Sequence, residues 1–170
     1  MKMIYFNLLI ISIILLFTAC PSESVFGCMD VSACNYNPEA TEDDNTCNIP
    51  LDNIIDITYV EASVSGLVGE TLVSHIHLKN ASCEQINDLI VNMSFHNANA
   101  SSYFCFNGTC FTSAITLSPF PLSLSSFEED DYFKGYLVAD APGTYEVGYH
   151  FYLENNPNQG VELVITYEVN

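Results

Sequence analysis

The chain has 170 residues, 49% of them hydrophobic, and a formal net charge of −18 at pH 7 from 21 acidic residues against only three Lys and Arg. That length holds one domain with its own core plus a small appendage. So acidic a surface repels phosphate backbones and lacks the Lys and Arg contacts that nucleic-acid binding requires, which excludes nucleic acid as a partner.

The first element is an export signal. Met1 to Ala19 carries Lys2, an almost unbroken apolar run from Met3 to Phe17, and the small pair Thr18 and Ala19. The run is shorter than the roughly 20 apolar residues of a membrane-spanning helix. A signal peptidase that needs small residues at the first and third positions before its cut would meet Phe17 at the third. Leu16-Phe17-Thr18-Ala19-Cys20 instead resembles a bacterial lipobox, with Phe17 where Leu is usual. The resemblance implies that residues 1–19 are a lipoprotein signal peptide and that Cys20 is acylated and becomes the new N-terminus. Residues 20–26 would then be a short lipidated tether to the membrane. Cleavage would remove Lys2 and leave Lys79 and Lys134 against 21 acids, a formal −19.

With Cys20 committed to lipid, six cysteines remain, an even number that in an exported chain reads as a disulfide framework. Residues 27–48 form a cysteine-rich module with little apolar content beyond Met29, Val31 and Tyr36, too little to hold itself together without staples. Its sequence closely resembles a repeat of secreted and surface proteins of Bacteroidota, GCxDxxACNYNPxAxxDDGSC. It departs at Asn45, where Gly is usual, and at Thr46, where Ser is usual. The resemblance implies a Cys28–Cys47 disulfide. Asp30, Asp43, Asp44 and Asn45 offer clustered oxygen ligands of the kind calcium takes, although an EF-hand's longer alternation, central Gly and closing Glu are missing. The same aspartates can shape a turn and stay solvated.

Residues 51–170 change to short alternating runs separated by turn residues, the signature of an antiparallel sandwich. Predicted strands are Ile54 to Ser63, Thr71 to Lys79, Leu89 to Asn97, Ser102 to Phe106 paired with Cys110 to Leu117, Tyr132 to Ala139, Thr144 to Leu153, and Val161 to Val169. In the sixth run, Tyr145, Val147, Tyr149, Phe151 and Leu153 share a core face against Glu146, Gly148 and His150. Asn107-Gly108 favours a two-residue hairpin turn, which brings Cys105 and Cys110 opposite each other at bonding distance. Cys34 and Cys83 are left, either paired with each other or as free thiols. The expected fold is all-β, an antiparallel immunoglobulin-like or fibronectin-like sandwich behind a disulfide-stapled module and a lipoprotein signal peptide. The Cys-loop-Cys hairpin, the Pro142-Gly143-Thr144 turn and Asn156-Pro157-Asn158 are similar to the end of small β-sandwich domains in secreted Bacteroidota proteins, with Asn-Pro-Asn as a turn before the last strand. Such proteins often continue into a type IX sorting domain. With Asn170 one residue past the last predicted strand, the expectation is that lipid at Cys20 takes over that role.

Chemistry is sparse. His75 and His77 share one face of a predicted strand about 7 Å apart but need a third ligand, and nothing brings His96 or His150 to them. Glu128-Glu129-Asp130-Asp131 suits a solvated loop, a cation or a basic partner. No nucleophile elbow, phosphate loop or paired-carboxylate frame is present, which argues against an enzyme. Asn80, Asn92, Asn99 and Asn107 begin sequons that a bacterial chain has no reason to use. Residues and resemblances imply a lipid-anchored protein of the bacterial outer membrane, facing the periplasm or the cell surface. Its expected role is non-catalytic binding or adhesion to an extracellular protein or glycan, through loop residues such as Phe120, Phe127, Glu128 and Asp131. A calcium-stabilised spacer is the alternative, and a small surface hydrolase a more distant one.

Overall fold

A computed structural model of the chain describes residues 23–170; the expected signal sequence and the expected lipid site at Cys20 lie outside the described residues. The chain divides into two compact units, one running through Val31 and resuming over Tyr36–Cys47, the other made of Ser32–Asn35 and Asn48–Asn170.

The first unit has two short strands in parallel, β1 (Phe26–Gly27) and β2 (Glu42–Asp43), with Phe26 opposite Glu42. The Cys28–Cys47 disulfide closes it, and Cys28 is almost fully buried. Its loops are held by side chains that accept from backbone two residues on: Asn37 from the Glu39 amide, Asp43 from Asn45 and Asp44 from Thr46. Asn45 sits at φ 59°, in the left-handed region that Gly enters without steric cost and that Asn tolerates better than most residues.

The second unit contains β3 (Ile55–Val60), β4 (Ser63–Gly66), β5 (Thr71–Asn80), β6 (Ile86–Ser94), β7 (Ala100–Phe106), β8 (Thr109–Cys110), β9 (Leu122–Leu124), β10 (Glu129–Asp130), β11 (Lys134–Ala139), β12 (Gly143–Leu153) and β13 (Asn156–Val169). In one sheet β5 is central, with β3 on one side and β10 and β11 on the other, and β11 continues to β7 and β8. The other sheet runs β4-β13-β12-β6-β9. Six strands facing five, with the first run of chain switching sheets so that β4 lies parallel to the last strand, make an immunoglobulin-like sandwich. The fold is all-β, as the alternating runs predicted.

Alternation sets the core. On β5 Leu72, Ile76 and Leu78 point inward while Val73, His75, His77 and Lys79 stay half-exposed. Phe133 lies at the centre, its ring 4.9 Å from Phe151 and 5.1 Å from Tyr149, both edge-on, with Phe104 and Phe106 further out. Burying each such side chain contributes about 1.5–3 kcal/mol. Buried Asn80 ties the end of β5 to two loops, its amide donating to Glu84, Leu124 and Ser125 carbonyls and its oxygen accepting from Ser82.

Several boundaries differ from expectation. The run from Ile54 to Ser63 is two strands, because the chain turns at Glu61–Ala62 to change sheets. The strand expected over Cys110 to Leu117 is only Thr109–Cys110, after which Leu117 makes a lone bridge to Asn92. Asn156-Pro157-Asn158 lies inside β13 rather than in a turn: Leu153 pairs with Asn156, so Glu154 and Asn155 make the hairpin. Leu122–Leu124 and Glu129–Asp130 are strands that no run of alternation announced.

Candidate functional site

All six described cysteines are bonded: Cys28–Cys47, Cys34–Cys83 and Cys105–Cys110. Of the alternatives for Cys34 and Cys83, the structure takes the pair. Cys34–Cys83, with the Cys34 amide donating to the Asn48 carbonyl, fixes the Ser32–Asn35 segment within the second unit. Cys105 and Cys110 face each other across the Asn107-Gly108 turn, both of whose residues have positive φ.

Among the described residues no group of three or more His, Cys, Asp or Glu is placed to hold a metal ion. The expected calcium set of Asp30, Asp43, Asp44 and Asn45 is thus not assembled. The physical reason is local. Asp43 turns its carboxylate onto the Asn45 amide at 3.0 Å, and Asp44 receives both the amide and the hydroxyl of Thr46, so the oxygens serve the turn rather than a common centre. The histidines are also separately engaged. His75 Nδ1 meets Glu61 Oε2 at 2.7 Å and His77 Nδ1 meets Glu129 Oε1 at 3.2 Å. His150 stacks on Tyr152 in the other sheet at 4.5 Å, and His96 is exposed beyond the end of β6.

What the structure does gather lies on the outer face of the β3-β5-β11-β7 sheet. Residues directly opposite across an antiparallel pair share a face, so register alone defines this one. Tyr103, Tyr136 and Val73 form one row, Cys105, Lys134 and His75 the next, Tyr59 and His77 a third, and Asp56, Lys79 and Glu129 a fourth. Tyr103 and Tyr136 stack at 4.6 Å with planes 3° apart, and Tyr59 lies 4.8 Å from the His77 ring. Both lysines of the described residues and two of the four histidines therefore stand on a single face of a strongly acidic molecule.

The electrostatics follow from these neighbours. The hydrogen bond from His75 holds the Glu61 carboxyl below the usual carboxylate range, against the opposing effect of partial burial. Asp130 is pushed the other way by desolvation, aided by Asp131 and Glu128, and its Oδ2 is buried without a hydrogen-bond partner. Of the loop residues expected to carry a ligand, Phe127 joins this region, held at φ 58° with the Lys79 ammonium 5.3 Å from its ring centre. Glu128 instead caps its own turn by accepting from the Ser125 amide, and Asp131 is exposed. Phe120 sits beside the hairpin tip, where Asn107 donates to the Pro121 carbonyl. The loop residues expected from the sequence do not include Tyr59, Tyr103, Tyr136 and Lys134, which register gathers on this face. The outward half of the β5 alternation was the signal available, but the partners it meets are set by long-range register.

No protein-family model matches the chain, and no curated protein does. Among solved structures it is similar to the N-terminal domain of PorA, at 15% identity over 69% of this chain and 96% of that one, with a TM-score of 0.45. It is similar to a conjugative transposon lipoprotein from Bacteroides eggerthii, at 14% identity over 66% and 93%, TM-score 0.43. A CARDB domain from Pyrococcus furiosus, solved in complex with di-metal ions, aligns at 18% identity over 76% and 100%, TM-score 0.42.

Proposed function

We propose that the chain is a lipid-anchored, non-catalytic binding module of the bacterial outer envelope, which holds an extracellular ligand on the outer face of its β3-β5-β11-β7 sheet. The anchor rests on the lipobox-like sequence ending at Cys20. The binding role rests on one observation: Tyr59, Tyr103, Tyr136 and both lysines of the described residues converge on one sheet face. Stacked, half-exposed tyrosines are large, rigid and amphipathic, the properties that favour recognition surfaces. A sheet face offers ordered side chains at fixed spacings, so ligand contacts form with little loss of conformational freedom.

Metabolic labelling with palmitate tests the anchor. The full chain should take up label and Cys20→Ala should not; an unlabelled full chain, or equal labelling of the two, overturns it. Proteinase K added to intact cells should degrade the labelled protein. Protection until the outer membrane is opened would place it in the periplasm and overturn the surface assignment.

A further inference from the structure

Two aromatic pairs stand at diagonally opposite corners of the outer sheet face. Tyr59 and His77 span β3 and β5, while Tyr103 and Tyr136 span β7 and β11. Tyr136 pairs with Val73, four residues along β5 from His77. Strand spacing and rise place the two pairs about 17 Å apart, the span of a short oligosaccharide. Lys134 and His75 lie opposite each other between them.

Given that this face is the binding surface, we infer that its ligand is an extended neutral polysaccharide, lying across the sheet from the Tyr59–His77 pair to the Tyr103–Tyr136 pair. The ring faces suit the weakly positive C–H faces of sugar rings, since an aromatic face is electron-rich. Tyr103 is well placed for this, because β8 pairs only with Cys105 and Phe106 and leaves Tyr103 at the sheet edge. Between the pairs, the Lys134 ammonium donates, the Glu61 carboxylate accepts and His75 offers a ring nitrogen. Sugar hydroxyls both donate and accept, so this mixture matches them.

Charge selects among polymers. The molecule carries a formal −18, which repels a polyanion from every approach. On this face the balance is local: His75 is paired with Glu61, His77 with Glu129, and Lys79 lies opposite Asp56 and Glu129. A neutral polyhydroxyl chain can settle here without crossing a strong field. A protein partner fits less well, because the face has no apolar centre of the kind that protein interfaces bury; Val73, its aliphatic member in these rows, is already half-buried.

Affinity electrophoresis of the full-length protein in detergent tests this, with gels containing xylan, laminarin, mannan or amylopectin, and with polygalacturonate and heparin as acidic counterparts. At least one neutral polymer should retard the protein. Tyr136→Ala and Tyr59→Ala should each weaken that retardation about tenfold, while Tyr136→Phe, which keeps the ring, should leave it nearly unchanged. Thermal melts confirm that the variants fold, and if Tyr136→Ala does not, Tyr59→Ala at 46% exposure on an outer strand carries the comparison. Retardation by an acidic polymer alone, lost in the tyrosine variants, overturns the neutral ligand but keeps the face as a binding surface. Retardation indifferent to both tyrosines overturns the ligand and the face together. No retardation in any gel overturns the inference.

Discussion

At the scale of single residues, Gly135 shows how tightly the core is closed. It lies on β11 under the fully buried Tyr149, and a Cβ there would run into the hydroxyl and ring edge of that tyrosine. Tyr149 cannot retreat, because Phe133 and Phe151 pack around it. Gly135→Ala should therefore cost about 1–3 kcal/mol, read as a drop in thermal midpoint. The Tyr149 hydroxyl makes no well-formed hydrogen bond, having only the Ser102 and Tyr167 hydroxyls near it, and burial pushes its pKa up to about 12. Tyr149→Phe should thus be near neutral or stabilising by itself and should recover part of the Gly135→Ala loss. Strictly additive effects in the double variant would refute this account of the contact. Residues of this kind were legible only where a local rule applies. Asn107-Gly108 was such a case, because those residue types favour the left-handed backbone that the two-residue turn adopts. Asn80 looked like one more accidental sequon, since nothing local reveals that its amide is buried between two loops.

At the scale of elements, the corner between β3 and β4 decides how the first strand changes sheets. Glu61 fixes it, its carboxylate taking both the amide and the ring nitrogen of His75 while its own carbonyl accepts from Ser74. The alternating run from Ile54 to Ser63 concealed this break, because a strand that switches sheets keeps its period while changing its partners. Periodicity was enough for β5, β12 and the Val161-to-Val169 part of β13, but not for the start of β13 at Asn156. It could not reveal β9 and β10, which are two or three residues long and are strands only because β6 and β5 lie beside them. The two acids at such junctions have opposite pH signatures. Glu61 has a lowered pKa in the folded state, so its contribution is present above the unfolded value of 4.5 and is lost as pH falls through the folded one. Asp130 has a raised pKa, so its ionisation opposes folding at neutral pH, and the penalty disappears as pH falls through the raised value toward 3.8. Glu61→Gln should lower the thermal midpoint at pH 7 and flatten its fall in acid. Asp130→Asn should raise the midpoint at pH 7, with the gain vanishing near pH 4. The same sign of change in both variants at pH 7 would contradict these assignments.

At the scale of the whole molecule, covalent links do different amounts of work. The unit that ends at Cys47 has few apolar residues to bury, and its exposed Phe26, Met29 and Val31 contribute no core. The Cys28–Cys47 bond is its main closure, so Cys28→Ala with Cys47→Ala should unfold that unit and leave the cooperative transition of the sandwich in place. Within the second unit, the chain-entropy argument ranks the bonds by the length of chain they close. Cys34–Cys83 closes a separation of 49 residues and Cys105–Cys110 one of 5, which correspond to about 4 and about 2 kcal/mol respectively. The short link adds little because its Asn-Gly turn already holds the two strands together. Replacing Cys34 and Cys83 by Ala should therefore lower the unfolding free energy more than replacing Cys105 and Cys110, as measured by denaturant titration with unchanged m-value. Equal losses, or a larger loss from the hairpin pair, would mean that native-state strain rather than chain entropy governs these bonds. The ranking also bears on the proposed binding face. Cys105 shares a row with Lys134 and His75. Opening the hairpin bond should therefore disturb ligand retention at little cost in stability, whereas opening Cys34–Cys83 should do the reverse.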